Sequence, residues 1–242
     1  DIYGGNTNAG EGTLNAPDPE RQEPMGIEDS PDFYYTQTFE GGDSAGDPAL
    51  VRILADNALD AVHWMEDHGL VYEKEVFTAI GGLWQRGHAV EVERKGEQGG
   101  SYYVSCLKDS ADKTGKVTLY TDAKVEQLVE EDGKVTGVAG TRPSSGASVV
   151  VRAKSVVLAT GGYGKDVAFR SAQDPRLDET VGCTNFEGAT AHGLKVALDA
   201  GVMGMQLDQI QCYPYTSPEE DSFGCAATWI CLLYTSPSPR DS

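Results

Sequence analysis

Residues 154–164 of the chain read KSVVLATGGYG, and this stretch does most to decide the fold. The continuous apolar run SVVLA, at 155–159, is typical of a parallel strand that is buried on both faces. The run ends in Thr160, Gly161 and Gly162. Ligands of open α/β sheets bind beyond the carboxyl ends of such strands. The stretch therefore predicts a strand and a glycine turn that bring the backbone to a ligand.

Short runs rich in valine and threonine precede this stretch and predict an antiparallel β-meander over residues 116–153. Asp132 and Gly133 stand between two of these runs, and this dipeptide is typical of a tight hairpin turn. The predicted strands are Lys116–Tyr120, Ala123–Val129, Lys134–Ala139 and Ser148–Arg152.

Two helices flank the meander in the sequence. After a long polar stretch, Asp47 and Pro48 begin an apolar series with helical spacing, which predicts an amphipathic helix over residues 47–69. A second helix is predicted over residues 189–200, ended by Gly201, with a strand following over residues 202–207. These elements predict an α/β fold with an antiparallel insertion.

Composition and charge exclude several classes of partner. The chain has 242 residues, 39% of them hydrophobic, and a formal net charge of −19. A surface this acidic repels phosphate backbones and anionic lipid, so we expect no binding to nucleic acid. Because no stretch approaches the roughly 18 to 20 apolar residues of a spanning helix, we expect no membrane insertion. The first residues also lack the regions of a signal peptide.

The cysteines indicate neither a disulfide scaffold nor a metal site. They occur without a CxxC pair and without a histidine at zinc spacing. We therefore expect free thiols and no bound metal, and a reducing compartment such as the cytoplasm is favoured. The five cysteines are Cys106, Cys183, Cys212, Cys225 and Cys231.

Both ends of the chain suggest that it is a piece of a longer protein. It opens on a glycine-rich loop without an initiating methionine. The last residues, CLLYTSPSPRDS at 231–242, have no apolar period, and they resemble a translated sequencing-library adapter. We expect residues 231–242 to be non-native, the alternative being a disordered tail rich in proline and serine. Residues 1–230 are then a partial domain, truncated at both ends.

Four segments in order resemble the flavoprotein subunits of the fumarate reductase and succinate dehydrogenase superfamily, in particular its soluble fumarate, urocanate and acrylate reductases. The likeness covers nearly all of residues 1–230 and implies a partial Rossmann-like FAD-binding domain. The four segments are GGNTNAGEGTLNA at 4–16, KSVVLATGGYG at 154–164, GATAHGLKVALDAG at 188–201 and IQCYP at 210–214.

The resemblance implies where FAD binds. Glycine lets backbone N–H groups approach a pyrophosphate or a flat ring without a Cβ in the way. In the family, the first loop lies along the flavin, the glycine turn approaches the cofactor, and one strand residue of the meander lies beside the adenine. The residues implied at these places are Asn6, Thr7, Gly10, Glu11, Gly12 and Thr13 in the loop, Thr160, Gly161 and Gly162 in the turn, and Val125 beside the adenine.

Two departures from the family pattern affect the cofactor. The membrane-bound members bind FAD covalently through a histidine, and Asn6 stands at the matching position. An amide cannot form that bond, so we expect non-covalent FAD. The family's usual Gly-Asp pair is replaced by Ala191 and His192, and His192 is interpreted as a packed or surface residue.

Candidate substrate contacts are also implied by the resemblance. Fumarate reductases carry a carboxylate-binding histidine where this chain has Tyr213, whereas urocanate-type reductases use tyrosine at a comparable place. Thr13, Arg86 and His88 are the other candidates, because the segment GGLWQRGH resembles an Arg-x-His loop near the active site. The alternatives are a packed tyrosine and a solvated turn.

The implied reaction is reduction of the C=C bond of an α,β-unsaturated carboxylate by hydride transfer from FAD. The family's proton donor falls beyond residue 230, so no catalytic acid is predicted here. A ketosteroid dehydrogenase or amino-acid oxidase of the same superfamily is one alternative, and a fragment that does not bind FAD is another. The electron donor and any attached haem or second flavin domain are left open.

Overall fold

The computed structural model describes residues 4–79, 82–94 and 96–212, together with the backbone of two short strands at 216–217 and 222–223. The predictions for Tyr213, Cys225, Cys231 and the tail at 231–242 concern positions outside these residues. The chain divides into two compact units, Ile2–Leu119 and Tyr120–Ser242. We call them the N-terminal and the C-terminal unit and describe each by itself.

The N-terminal unit is mainly helical. Its helices are α1 (Pro19–Gln22), α2 (Pro31–Gly41), α3 (Pro48–Asp67) and α4 (Gly99–Thr114), and its strands β1 (Leu14–Asn15) and β2 (Gly87–His88) pair antiparallel. Short 3₁₀ turns lie at Gly5–Ala9 and Glu23–Met25.

Helix α3 confirms the prediction from its apolar spacing. The Asp47 carboxylate caps it by accepting the N–H groups of Ala49 and Leu50, at 2.8 and 3.4 Å. Beyond its last residue Gly69 has a φ of +100°, which suits a helix stop. Its buried side chains, Ala55, Ala58, Val62 and Met65, form one face, and the last three belong to a core with Ala16, Leu70, Tyr72 and Val90.

The C-terminal unit contains the predicted β-meander. Strands β3 (Lys124–Glu131), β4 (Lys134–Thr141) and β5 (Ser148–Arg152) form one antiparallel sheet in that order. Asp132 and Gly133 both have positive φ, at 52° and 72°, as a type I′ hairpin turn requires. Helices α5 (Val167–Gln173) and α6 (His192–Asp199) follow, and β6 (Thr216–Ser217) pairs with β7 (Ser222–Phe223).

Three predicted strands are not strands in the structure. Residues 116–120 and 202–206 are irregular, with a turn beginning at Leu207. Residues 155–159 are also irregular, and Val157 is 87% exposed. A parallel strand needs hydrogen-bonded neighbours, and the described residues supply none beside this run. The chain therefore has the mixed helix and strand fold that was predicted, but the sheets among its described residues are antiparallel.

No described helix is both long enough and apolar enough to cross a membrane.

Candidate functional site

The glycine-rich loop of the N-terminal unit folds as a 3₁₀ turn between two left-handed glycines. Gly4 has a φ of +103° and Gly12 a φ of +73°, conformations that a side chain disfavours. The N–H of Thr7 donates to the Gly4 carbonyl at 3.0 Å, and the N–H of Gly10 donates to the Thr7 carbonyl at 3.1 Å. The six predicted flavin residues of this unit, Asn6, Thr7, Gly10, Glu11, Gly12 and Thr13, all lie here and are exposed or half-buried.

The loop packs directly on the backbone at the start of α4. The N–H of Gly100 donates to the Gly10 carbonyl at 3.0 Å. A Cβ on Gly100 would fall on the Thr7 carbonyl oxygen, and a Cβ on Gly12 would lie 2.5 Å from the Gly100 nitrogen. Gly99 is as crowded against the Glu11 carbonyl. Gly99 and Gly100 were not predicted from the sequence, although a second glycine pair is a usable signal of close backbone approach.

Arg86 is buried and its charge is already paired. Its Nε and Nη2 donate to the two Asp29 oxygens at 2.9 and 2.8 Å, and Nη2 also donates to the Gln37 side-chain oxygen at 2.8 Å. The guanidinium lies 4.5 Å from the centre of the Tyr34 ring. Among the described residues no hydrogen-bond partner faces Nη1, and Arg86 lines a cavity of about 470 Å³ together with Trp84.

His88 is fully buried beside Asp18. Its Nε2 lies 3.0 Å from an Asp18 carboxylate oxygen, which also accepts from Arg21 Nη1 at 2.8 Å. Burial alone would raise the pKa of Asp18, but hydrogen bonds from Arg21 and His88 outweigh it and hold that pKa below its ordinary value. Arg86 and His88 are therefore enclosed by protein partners, and substrate binding by either residue stays a prediction.

In the C-terminal unit, three of the four predicted cofactor residues meet at one cavity. Val125, Thr160 and Gly162 line a space of about 810 Å³, whose walls include the apolar side chains of Leu128 and Val138. This volume is within the range of small-molecule and cofactor sites. Gly161 lies in the same turn, with a φ of +73°, but is not part of the cavity wall.

Helix α6 closes one side of this cavity. His192 Nε2 lies 2.7 Å from the Val125 carbonyl oxygen, so the imidazole links α6 to β3. A Cβ on Gly193 would lie 2.6 Å from the Thr160 hydroxyl oxygen, so glycine is required for this approach. Lys195 pairs with Asp166, and this hydrogen bond lowers the pKa of the Asp166 carboxyl.

The glycine turn separates that cavity from a second one of about 380 Å³, because Gly162 lines both. Arg170 lines the smaller cavity, and its guanidinium donates to the carbonyls of Gly164, Leu177, Asp178 and Val181 at 2.5 to 2.9 Å. Gln211 and Cys212 also line it, next to Tyr213 in the sequence, although Tyr213 itself lies outside the described residues.

Comparison with known proteins gives a family match over most of the chain. The model of the FAD binding domain family matches residues 2–226. The acrylate reductase flavoprotein subunit of Shewanella woodyi is 31% identical, over 94% of this chain and 45% of its own length. The urocanate reductase of Eggerthella lenta is 30% identical, over 88% of this chain and 35% of its own.

A solved structure has the same fold. The open conformation of a flavocytochrome c3 fumarate reductase superposes with a TM-score of 0.80 at 27% identity, covering 91% of this chain and 38% of that one. The chain thus spans less than half the length of these relatives.

Proposed function

Since the chain belongs to the FAD binding domain family, we propose that the protein of which it forms part or all reduces the C=C bond of an α,β-unsaturated carboxylate. FAD is the cofactor of this family. The observation that carries the proposal is that Val125, Thr160 and Gly162, which the family resemblance implies as FAD contacts, line a single cavity.

The residues present fit FAD in both units. In the N-terminal unit, Gly12, Gly99 and Gly100 bring two stretches of backbone into contact where side chains would clash, and the predicted flavin residues of the loop are exposed or half-buried. In the C-terminal unit, the larger cavity has an apolar wall suited to an aromatic base. When bound, FAD supplies the hydride, and the chain's residues bind and orient it.

In the N-terminal unit, Thr13 and Arg86 are the proposed substrate contacts, and Tyr213 stays a contact that the family resemblance implies. The Thr13 methyl group lies near Gly87, the residue after Arg86, so this part of the loop and the Arg86 cavity adjoin each other. Asp29 already balances the charge of Arg86. Arg86 would therefore orient the substrate by a directed hydrogen bond from Nη1 and would add no net charge to the site. Both ring nitrogens of His88 already contact protein oxygens, so its predicted contact with substrate stays a prediction.

A flavin-release experiment tests the cofactor part of this proposal. The protein, expressed from its complete reading frame, should purify with bound FAD and release it into the supernatant on acid or heat denaturation, because Asn6 cannot form the covalent bond. Flavin that stays with the denatured polypeptide would contradict non-covalent binding. A folded protein without flavin absorbance would contradict the proposed function itself.

The reductase part is tested by assaying acrylate-, urocanate- and fumarate-like acids with a reduced viologen dye as electron donor. Oxidation of a ketosteroid or an amino acid, without reduction of any of these acids, would favour the dehydrogenase or oxidase alternative.

A further inference from the structure

A continuous network of buried polar side chains underlies the exit of the glycine-rich loop. The Gln22 amide joins its two halves, since its oxygen accepts the Asp18 N–H at 2.7 Å and its nitrogen donates to Asp29 at 2.8 Å. Asp18, Asp29 and His88 have side chains that are at most 1% exposed. Such a network is stable only if every buried polar group is satisfied.

Both nitrogens of the buried His88 ring lie within hydrogen-bond distance of protein oxygens. Nδ1 lies 3.2 Å from the Leu14 carbonyl oxygen and 3.1 Å from that of Arg86, and Nε2 lies 3.0 Å from the Asp18 carboxylate. Carbonyl oxygens only accept hydrogen bonds. The Asp18 carboxylate accepts as well, since Arg21 and the Glu20 N–H also donate to it. Both ring nitrogens of His88 therefore face acceptors alone.

We propose that His88 carries a hydrogen on both ring nitrogens and acts as a charged positioning residue, holding the exit of the glycine-rich loop against α1. Leu14, to whose carbonyl it donates, follows Thr13 directly, so the imidazolium fixes the point at which the loop leaves the flavin. The consequence for FAD rests on the proposed function, whereas the protonation state does not.

The charges around the ring compensate one another. Asp18 faces the imidazolium from the start of α1, and Arg21 of the same helix bridges Asp18 to Glu66 of α3, at 2.8 and 2.6 Å. Two cations thus alternate with two carboxylates. Tyr72 meets the His88 ring edge-on, with centroids 5.8 Å apart, and its hydroxyl is engaged by Tyr103 at 2.7 Å. The Arg86 side chain is paired separately with Asp29.

A neutral imidazole does not suit this place. With hydrogen on Nε2 only, the Nδ1 lone pair would face two carbonyl oxygens. With hydrogen on Nδ1 only, the Nε2 lone pair would face a carboxylate. Either arrangement leaves a buried group unsatisfied, which is costly, whereas the imidazolium satisfies every partner.

NMR on the wild-type protein with ¹⁵N-labelled histidine tests the protonation state directly. Both ring nitrogens of His88 should show the shift and the attached hydrogen of protonated nitrogens in the folded protein at neutral pH. A single protonated nitrogen at neutral pH would overturn the proposal. Because the measurement needs neither FAD nor a variant, it stands even if the proposed function fails.

The positioning role is tested with His88→Gln, and the matched control is His63→Gln, because His63 lies on the exposed side of α3. Glutamine supplies one donor group instead of two and no charge. We expect His88→Gln to raise the FAD dissociation constant at least tenfold and to shift the spectrum of bound flavin, while the control changes neither. Unaltered affinity and spectrum in a folded His88→Gln protein would overturn the role. If that variant does not fold, Asp18→Asn provides the same readout, because it keeps the helix cap but removes the facing charge.

Discussion

At the scale of single residues, the crowded glycines make the sharpest prediction. In Gly100→Ala the added methyl group falls on the Thr7 carbonyl oxygen, a backbone atom that cannot rotate away. We expect a loss of about 1–3 kcal/mol in the free energy of unfolding, the usual cost of overpacking, together with weaker FAD binding. Thermal unfolding and flavin titration measure the two effects.

The matched control is Gly41→Ala in the same unit, whose added methyl group meets only the Leu83 Cδ1 atom, at an ordinary 3.6 Å. It should leave stability unchanged or slightly raised, because alanine is the better helix former. Equal stability of the two variants would show that the loop and α4 can separate without cost.

Asp18 makes a prediction about pH. Its pKa is lowered in the folded protein, so its contribution to stability is present above the ordinary aspartate value of about 3.9 and is lost as pH falls through the lower, folded value. Asp18→Asn keeps the helix cap but leaves the partners of a buried ion pair uncompensated. We expect it to cost about 3 kcal/mol at neutral pH and to flatten the acid limb of the stability curve. Denaturant unfolding across the acid range measures both, and an unchanged acid limb would contradict the assignment.

The identity of Arg86 and His88 was visible in the sequence, but their burial was not. The motif predicted a ligand-facing loop, whereas Asp29 and Asp18, 57 and 70 residues away along the chain, enclose both side chains. Contacts between residues so far apart in the chain leave no pattern in the sequence around either residue, so the burial could not be predicted. By contrast, Gly4 to Thr13 were predictable, because glycine density reports local backbone geometry.

At the scale of elements, the cap of α3 has a measurable effect. Asp47→Ala removes the acceptor for the N–H groups of Ala49 and Leu50 and should cost about 1 kcal/mol in the free energy of unfolding. Asp47→Ser, which keeps a capping oxygen, should restore most of it. A denaturant midpoint that is the same for wild type and Asp47→Ala would show that packing alone determines where α3 begins.

Helices and strands that have a clear pattern of apolar or β-branched residues were predicted, and those without such a pattern were not. Helix α3 and strands β3 to β5 were identified because apolar spacing or β-branched runs mark them. Helix α2 was missed because it lies in a stretch that reads as polar and buries no residue completely, although Ser30 and Pro31 form a start signal that was usable. Helix α4 begins on two glycines, which argue against a helix until their contact with the loop is known. The run at 155–159 was assigned from its composition, but strand formation depends on neighbours.

At the scale of the whole molecule, the family match extends from residue 2 to residue 226 and so covers most of each compact unit. In each unit, glycine allows a close contact that a side chain would prevent. Gly12 and Gly100 lie against backbone atoms in the first unit, and Gly193 lies against the Thr160 side chain in the second. Such close approaches thus occur in each unit, beside residues that the family resemblance implies as FAD contacts. This agreement supports FAD binding more strongly than either site does alone.

Substrate choice is the last prediction, and it depends on the charge at one position. A dicarboxylate such as fumarate needs cationic or strongly hydrogen-bonding groups at both ends, and the Tyr213 phenol is neutral at neutral pH where the fumarate reductases carry a histidine. Exchanging a charged for a neutral hydrogen bond weakens one end by about 1–2 kcal/mol, roughly tenfold in binding.

A monocarboxylate with a flat conjugated body loses nothing by that exchange and gains a ring to pack against. We therefore expect the complete protein to reduce urocanate- or cinnamate-like acids with a higher kcat/KM than fumarate, and Tyr213→Phe to lower kcat/KM for the preferred acid, because the phenol hydrogen bond is lost while the ring remains. Steady-state assays with a reduced viologen dye measure both effects. Because Phe keeps the ring, an unchanged kcat/KM would identify Tyr213 as a packing residue, and a clear preference for fumarate would show that the carboxylate charge is met by other groups.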